Sequence, residues 1–504
     1  CVGWANFAAL FERPECLRVL GNTLALNLGT TFAASAAALI LALALAAVPW
    51  RPLRGVLSTL FLMPYFVPAA VFAYTVIVLL SPFTSPIALT EKFVFGDPAL
   101  FRAAAVLAEA LRIAGIPAFI ALAAVAASHE AALRGETNAD AGWFRLTAAP
   151  ALRSVAAFAV IRLAAPLSGE YDVLALWVNP LVYETGDTLS TFMFRTGFVM
   201  MDAGPASAAW LLQFAVQLPL AAAAYLLVRG PLKAGLFAPV ERPRIRPAGA
   251  GGAAAGLIAA APFAAAAALV LYALFVHPLV QPGEPGVSAW SAVFTPGALA
   301  FAVAVWGLVL LHMLMTLTLA YPLTVRRLPG RSAYRFVLIA AALMGAGTLH
   351  EYLFFRGLGL ANTVFAAAFA GFIAVVPAFV LAGAFKAKYG ALKEEAEASG
   401  KGELHAFFAL FIPKMWKTWL ILGVFQLAAL LGNLKLPLIY LADPSTFPPV
   451  LAFYQLAMGG SGGNPGGALP LAAGALAGLP GVILLLIVRP WLSGEALASQ
   501  IHKG

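Results

Sequence analysis

Charge is scarce in this chain: only 11% of its 504 residues are Asp, Glu, Lys or Arg, against about 25% in an ordinary soluble domain. Cysteine is nearly absent. Cys1 and Cys16 are the only two, so no disulfide framework and no thiolate metal site follows. The six histidines are scattered and offer no metal-ligand spacing. No G-x-x-x-x-G-K-[ST] stretch occurs, which removes a phosphate-binding loop of that kind. The glycine-rich run Gly459–Gly467 lacks the lysine and follows no strand, and reads as a flexible extracytoplasmic loop. Neither a catalytic triad nor a signal peptide is visible. No cofactor is called for.

Apolar residues fill the space that charge leaves. They make up 62% of the chain, and the mean hydropathy is +0.91. About 20 apolar residues cross a bilayer as a helix, and a helix satisfies its own backbone polar groups. The chain is therefore expected to be all-α and polytopic, with about eleven spans. They fall near 22–48, 56–80, 103–127, 154–175, 206–228, 253–275, 298–319, 334–346, 363–385, 418–434 and 469–488.

The net charge is +9. In a soluble protein such a balance points to nucleic acid. Here the basic residues sit in short loops between spans, including Arg51 and Arg54, Arg326 to Arg331, and Arg229 to Arg246. That is the cytoplasmic bias of membrane proteins, and no nucleic-acid partner is implied. Counted from the basic stretch at 229–252, the basic loops share one side, and the loops with Glu184, Asp187 and Asp443 share the other. The loop Val325–Arg331 answers the loop at 50–55, and 386–417 answers 128–153. The chain is thus expected to hold two parallel repeats. The first half is 1–228, the linker 229–252, and the second half 253–504. With one span fewer in the first half, a further span is expected ahead of Cys1.

The two answering loops carry the distinctive residues. In the second, Glu394, Glu395 and Glu397 are expected to open a helix, where the macrodipole favours acid. Gly400 allows a sharp turn, and Pro413 suits the first turn of the next helix. This pattern resembles the cytoplasmic coupling loop of ABC-importer permeases, in which Glu-Ala-Ala precedes a Gly, with a Pro thirteen positions after it. Gly400 to Pro413 has that spacing, and Glu395-Ala396-Glu397 approximates the letters. The first loop has the literal Glu130-Ala131-Ala132. Its Gly135 to Pro150 is two residues longer, and Gly142 is an alternative turn glycine.

Further stretches resemble one family of these importers, the carbohydrate type that carries oligosaccharides and aldouronates. Ala320–Arg331, Gly357–Thr363 and Ile439–Pro448 look like its second permease. Val2–Phe11, Phe61–Val71 and Tyr171–Asp187 look like its partner permease. The resemblance covers nearly the whole chain, with two usually separate permeases fused. It departs at Leu431-Gly432-Asn433-Leu434, where the family has a Trp-Asn-Glu-Trp-like stretch.

The resemblance implies the type I ABC importer permease fold in a bacterial inner membrane. It implies an ATPase dimer gripping Glu130–Pro150 and Glu394–Pro413. It also implies an extracytoplasmic solute-binding protein, a small-molecule cargo, a sugar or oligosaccharide, and no catalysis by the chain itself. Substrate-path candidates are Glu109, Tyr171, Asp172, Trp177, Asn179, Asn433 and Tyr440. Glu109 and Arg112 lie one helical turn apart and can pair. Two other readings stay open: an ion-coupled secondary transporter using Glu109, and an importer permease for a non-sugar solute.

Overall fold

The apolar runs fold as helices, and every regular element among the described residues is helical. This computed structural model describes residues 4–135, 142–230, 232, 245–246, 249–281, 288–345, 348–459 and 467–501. Cys1, most of the linker 229–252 and most of the run Gly459–Gly467 lie outside them.

The N-terminal part contains α1 (Ala5–Glu12), α2 (Glu15–Ala47), α3 (Arg51–Phe66), α4 (Ala69–Leu79), α5 (Pro98–Ile113), α6 (Gly115–Leu133), α7 (Ala149–Leu163), α8 (Tyr171–Trp177) and α9 (Ala203–Arg229). The C-terminal part contains α10 (Ala250–Leu271), α11 (Pro296–Thr324), α12 (Arg331–Met344), α13 (Leu349–Gly357), α14 (Val364–Phe369), α15 (Val376–Ala398), α16 (Ile412–Leu431), α17 (Lys435–Tyr440) and α18 (Ala468–Val488).

Among the described residues, eight helices are long and apolar enough to cross a membrane, and ten spans result if each of two bent pairs counts as one. The sequence predicts about eleven, and the difference lies in where helices break. The run at 56–80 bends by 101° between α3 and α4. Pro68 has no N–H and drives Val67 to an extended backbone, ψ 134°. The run at 103–127 divides into α5 and α6. The run at 154–175 stops at Leu163, and the apolar helix instead begins at Phe144. The run at 363–385 divides into the short α14 and the longer α15.

α2 packs against α5, α6 and α7, and α11 packs against α14, α15 and α16. α10 crosses back to lie on α2 and α3, while α18 packs against α3, α4 and α16. The two parts are interlocked rather than side by side. Between helices in lipid, close packing rather than water exclusion holds such contacts. Phe72, Trp177, Phe301 and Phe453, all at most 2% exposed, fill one shared core.

After α18 the chain turns back. Residues 494–501 are all buried. Gly494 lies against Ala123 and Ile120 of α6, and Glu495 accepts a charged hydrogen bond from Lys388 of α15. This short segment therefore ties α6 to α15.

Candidate functional site

Two loops and one cavity make up the site. α6 ends at Leu133 and is followed by Gly135 at φ +74°; α15 ends at Ala398 and is followed by Gly400 at φ +78°. A left-handed backbone at the residue past a helix end is a glycine position, because a Cβ there clashes with the chain. Gly142 has no positive φ, so the turn of the first loop belongs to Gly135.

Both loops then re-enter the bundle in the same way. Ala149 donates its N–H five residues back to Phe144, and Ile412 does the same to Phe407. Pro150 and Pro413 follow immediately. Each proline lacks an N–H, and its ring would strike the carbonyl four residues back; a widened turn removes that clash. His277 before Pro278 shows the same widening, bonded to Tyr272. The widened turn is thus not particular to the two loops, and what distinguishes them is the ordered pair of left-handed Gly and helix-starting Pro.

One expectation about the second loop is overturned. Glu394, Glu395 and Glu397 do not open a helix. They lie in the last turns of α15, which runs unbroken from Val376 to Ala398. Acid at a helix C-terminus is unfavourable by itself, and nearby cations offset it. Arg326 pairs with Glu394, and the buried Lys393 sits 3.5 Å from Glu397 and 3.0 Å from Glu403. Tyr321 also donates to Glu403 (2.5 Å). Lys393 thereby holds the returning segment of the loop against α15, and Tyr321 holds it against α11. Ala396 is buried, and Glu395 is exposed.

In the first loop Glu130 accepts from Arg134 at 2.5 Å, while Ala131 and Ala132 pack beside it. His129 braces this loop. Its Nδ1 accepts the Arg246 backbone N–H at 3.0 Å, so Nε2 carries the proton and donates to Thr147 Oγ1 at 3.0 Å. The end of the linker is therefore fastened to the first loop.

A cavity of about 910 Å³ lies between the two parts, within the range of small-molecule sites. Its wall includes Tyr65, Arg112, Glu170, Asp172 and Trp210 from the N-terminal part. Gln426, Asn433, Ser499 and Gln500 face it from the C-terminal part.

The cavity also orients the loops. Arg112, just ahead of α6, and Pro377, at the start of α15, both line it. Farther along, Ala123 of α6 and Lys388 of α15 both meet the segment 494–501. Farther still come Gly135 and Gly400. Both helices pass the same two landmarks in the same order, so both loops lie on one side of the cavity.

The candidate path residues divide. Asp172 and Asn433 line the cavity. Asp172 accepts the backbone N–H groups of Leu434 (2.8 Å) and Lys435 (2.9 Å), so a carboxylate of one part caps α17 of the other. Asn433 accepts from the Leu436 N–H at 2.8 Å. Glu109 is gripped by Arg112 through two bonds of 2.7 and 2.8 Å and does not face this cavity. Trp177 is buried, donates to Ala73 O at 3.0 Å and stacks on Phe95. Asn179 donates to Phe95 O and caps a short turn at Leu181. Tyr171 packs on Phe194, and Tyr440 on Tyr352 and Phe355. None of these four lines this cavity.

Arg112 and Glu170 were not among the sequence candidates, although both stand beside residues that were. Arg112 reaches Glu170 at 3.3 Å and lies over the Tyr65 ring at 5.6 Å. A polar residue in the middle of an apolar run was the available signal for Gln426; it donates to Gly371 O at 2.8 Å. No sequence feature announces Ser499 and Gln500, which reach the cavity only because the chain folds back.

Fold and composition define a multi-pass, all-helical membrane protein. No protein-family model and no curated protein matches the chain. Among solved structures, it is similar to a chain of a bacterial alginate ABC transporter in complex with alginate pentasaccharide-bound periplasmic protein. Identity is 25% over 46% of this chain and 84% of that one, with a TM-score of 0.41. It is also similar to a chain of a bacterial ABC transporter involved in the import of the acidic polysaccharide alginate, at 24% identity over 45% of this chain and 84% of that one, with a TM-score of 0.41.

Proposed function

We propose that this chain is the transmembrane permease of a binding-protein-dependent ABC importer in a bacterial inner membrane, with two permease halves, 1–228 and 253–504, fused through the linker 229–252. The halves are parallel repeats. α2, α6 and α7 correspond to α11, α15 and α16, and the bent pair α3–α4 corresponds to α12–α13. The observation that carries the reading is the matched Gly-to-Pro loop on each part, Gly135 to Pro150 and Gly400 to Pro413, on one side of a shared cavity.

In this reading a separate ATPase dimer grips both loops from the cytoplasm and hydrolyses the ATP. Closing the dimer draws the loops together. α15 runs from its loop to the cavity, α6 runs from its loop to the end of α5, where Arg112 lines the cavity, and the segment 494–501 links the two helices along the way. A pull on the loops therefore reaches the cavity wall. α6, with 19 residues, gives a rigid lever of about 28 Å. The binding protein delivers its cargo at the opposite face, and the cargo crosses through the cavity. Tyr65, Trp210, Gln426 and Asn433 offer aromatic faces and amides, which suit a hydroxylated solute such as a sugar or oligosaccharide. The two bonds from Arg112 to Glu109 count against an ion-coupled transporter that uses that carboxylate.

The test is uptake and ATPase activity in vesicles that hold the full chain with its ATPase and binding protein. Gly400→Trp and Glu395→Lys are each expected to keep basal ATPase activity and lose uptake. Unchanged uptake in both variants, or uptake without any ATPase, would overturn the proposal.

A further inference from the structure

We infer that Arg229, Arg331, Arg335 and Lys386 form a binding site for the phosphate of an anionic phospholipid, at the seam where the end of α9 meets α12 and α15. This inference requires only that the chain spans a membrane and does not depend on the importer reading.

Three separate helices bring these cations together. α9 packs against α12, and Tyr225 of α9 meets the Phe379 ring of α15 at 5.6 Å. Arg331 Nη2 donates to Leu323 O at 3.0 Å, and Lys386 Nζ donates to that same oxygen. Two positive groups thus converge on one carbonyl. None of the four makes an ion pair among the described residues. Arg331 Nε is buried and has no hydrogen-bond partner there.

Like charges held this close repel unless an anion joins them. The cost is visible at Lys386, which lies past the apolar stretch of α15. Burial first, then Arg331, Arg335 and Arg229, push its ammonium down to about 7.

The level of the cluster identifies the anion. Leu226 is 66% exposed one turn before Arg229, and Phe336 and Val337 are 51% and 60% exposed just after Arg335. Those apolar faces belong in lipid, so the cations beside them stand at headgroup depth. A phosphodiester there can accept from several of these donors at once. The cluster also lies on the loop side, since Arg326, just ahead of α12, pairs with Glu394.

The full chain is placed in nanodiscs of phosphatidylcholine, or of phosphatidylcholine with one quarter phosphatidylglycerol, and thermal unfolding is followed. The phosphatidylglycerol discs are expected to raise Tm by several degrees, as a ligand of the folded state does. Arg331→Gln with Arg335→Gln loses most of that gain, Arg331→Lys with Arg335→Lys keeps it, and Arg51→Gln, an exposed control, keeps it too. Should the double glutamine variant fail to fold, Lys386→Met leaves α12 intact and shows a smaller loss. An undiminished gain in the glutamine and methionine variants overturns the site. An equal gain from inorganic phosphate in phosphatidylcholine discs overturns the lipid as its source. No gain from phosphatidylglycerol, with protection appearing only when an ATPase subunit is added, assigns the cluster to a protein partner instead.

Discussion

The two loops share a backbone and differ in almost everything attached to it. Each has a left-handed glycine after a long helix and a proline as the second residue of the next. Their braces are unlike. The second loop is fastened by Lys393 of α15 and by Tyr321 of α11, both through Glu403. The first is fastened from outside, by the linker at Arg246 through His129. The first also has the literal Glu-Ala-Ala, while the second keeps the shorter Gly-to-Pro spacing. The comparison teaches that the turn of each loop is a matter of main-chain geometry, and that the side chains bracing it differ between the two.

Glycine replacements test that lesson with the largest expected effect. Gly135→Val and Gly400→Val each force a β-branched residue into a left-handed backbone, at about 1–2 kcal/mol or more. Neither site is crowded, since a Cβ at either glycine meets nothing within 4 Å. Strain alone therefore acts, and the loop leaves its shape without unfolding the helices. Uptake is expected to fall about tenfold or more in both, with the chain still folded by thermal unfolding. Gly142→Ala is expected to be silent. If Gly142→Ala abolished uptake and Gly135→Val did not, the equivalence of the loops would fail.

The braces give a middle-sized effect that separates the loops. Lys393→Met leaves Glu403 without its cation. His129→Ala leaves the Arg246 N–H and Thr147 without their partner. Each is expected to destabilise its own loop by about 1–2 kcal/mol. Hydrogen exchange should speed up at 403–411 in the first variant and at 143–148 in the second, and in neither case at the other loop. Faster exchange in both loops from either change would mean that they open as one unit.

The joint between the two parts lies in the same range. Asp172→Ala removes the acceptor from two backbone N–H groups at the start of α17, and about 1–2 kcal/mol of stability should go with it. Asp172→Asn, which keeps an acceptor oxygen, should recover part. Equal losses in the two variants would show that charge, and not the cap, is what the position supplies.

Much of this was legible before any coordinates. The helical, membrane-crossing character follows from the scarcity of charge, and the glycine and proline of each loop mark a stop and a start by their own stereochemistry. Breaks inside apolar runs were harder to see. Pro68 gave a signal for the bend at α3–α4, and Gly371 with Pro377 gave one for the division of the run at 363–385. The site was half legible. Asp172 and Asn433 could be named because they sit in distinctive stretches, yet what they do is cap α17, which needs the two parts in contact. Trp177 was a path candidate as an aromatic on the same short helix as Asp172; it faces Ala73 and Phe95 instead, since five positions along a helix turn a side chain by about 140°. Glu394 to Glu397 misled for a related reason. Acid favours a helix start only when no cation is at hand, and Arg326 and Lys393 arrive from elsewhere in the chain.

The smallest expected effect concerns the exposed ion pairs. Arg134 and Glu130 are 62% and 22% exposed at the side chain, and Arg326 and Glu394 are 70% and 50% exposed. Exposed pairs of this kind contribute about 0.3–0.5 kcal/mol and are screened by salt. Arg134→Ala and Arg326→Ala should therefore leave Tm within about a degree or two of the parent. Uptake then reads something that stability does not. If both variants also transport normally, the two loops engage their partner through backbone shape alone, and the comparison holds in its strong form. If Arg134→Ala slows uptake and Arg326→Ala does not, the first loop meets the partner through charge while the second meets it through shape. On the proposed reading the two loops would then be gripped asymmetrically, and a salt titration of uptake should show a slope with the parent that Arg134→Ala has lost.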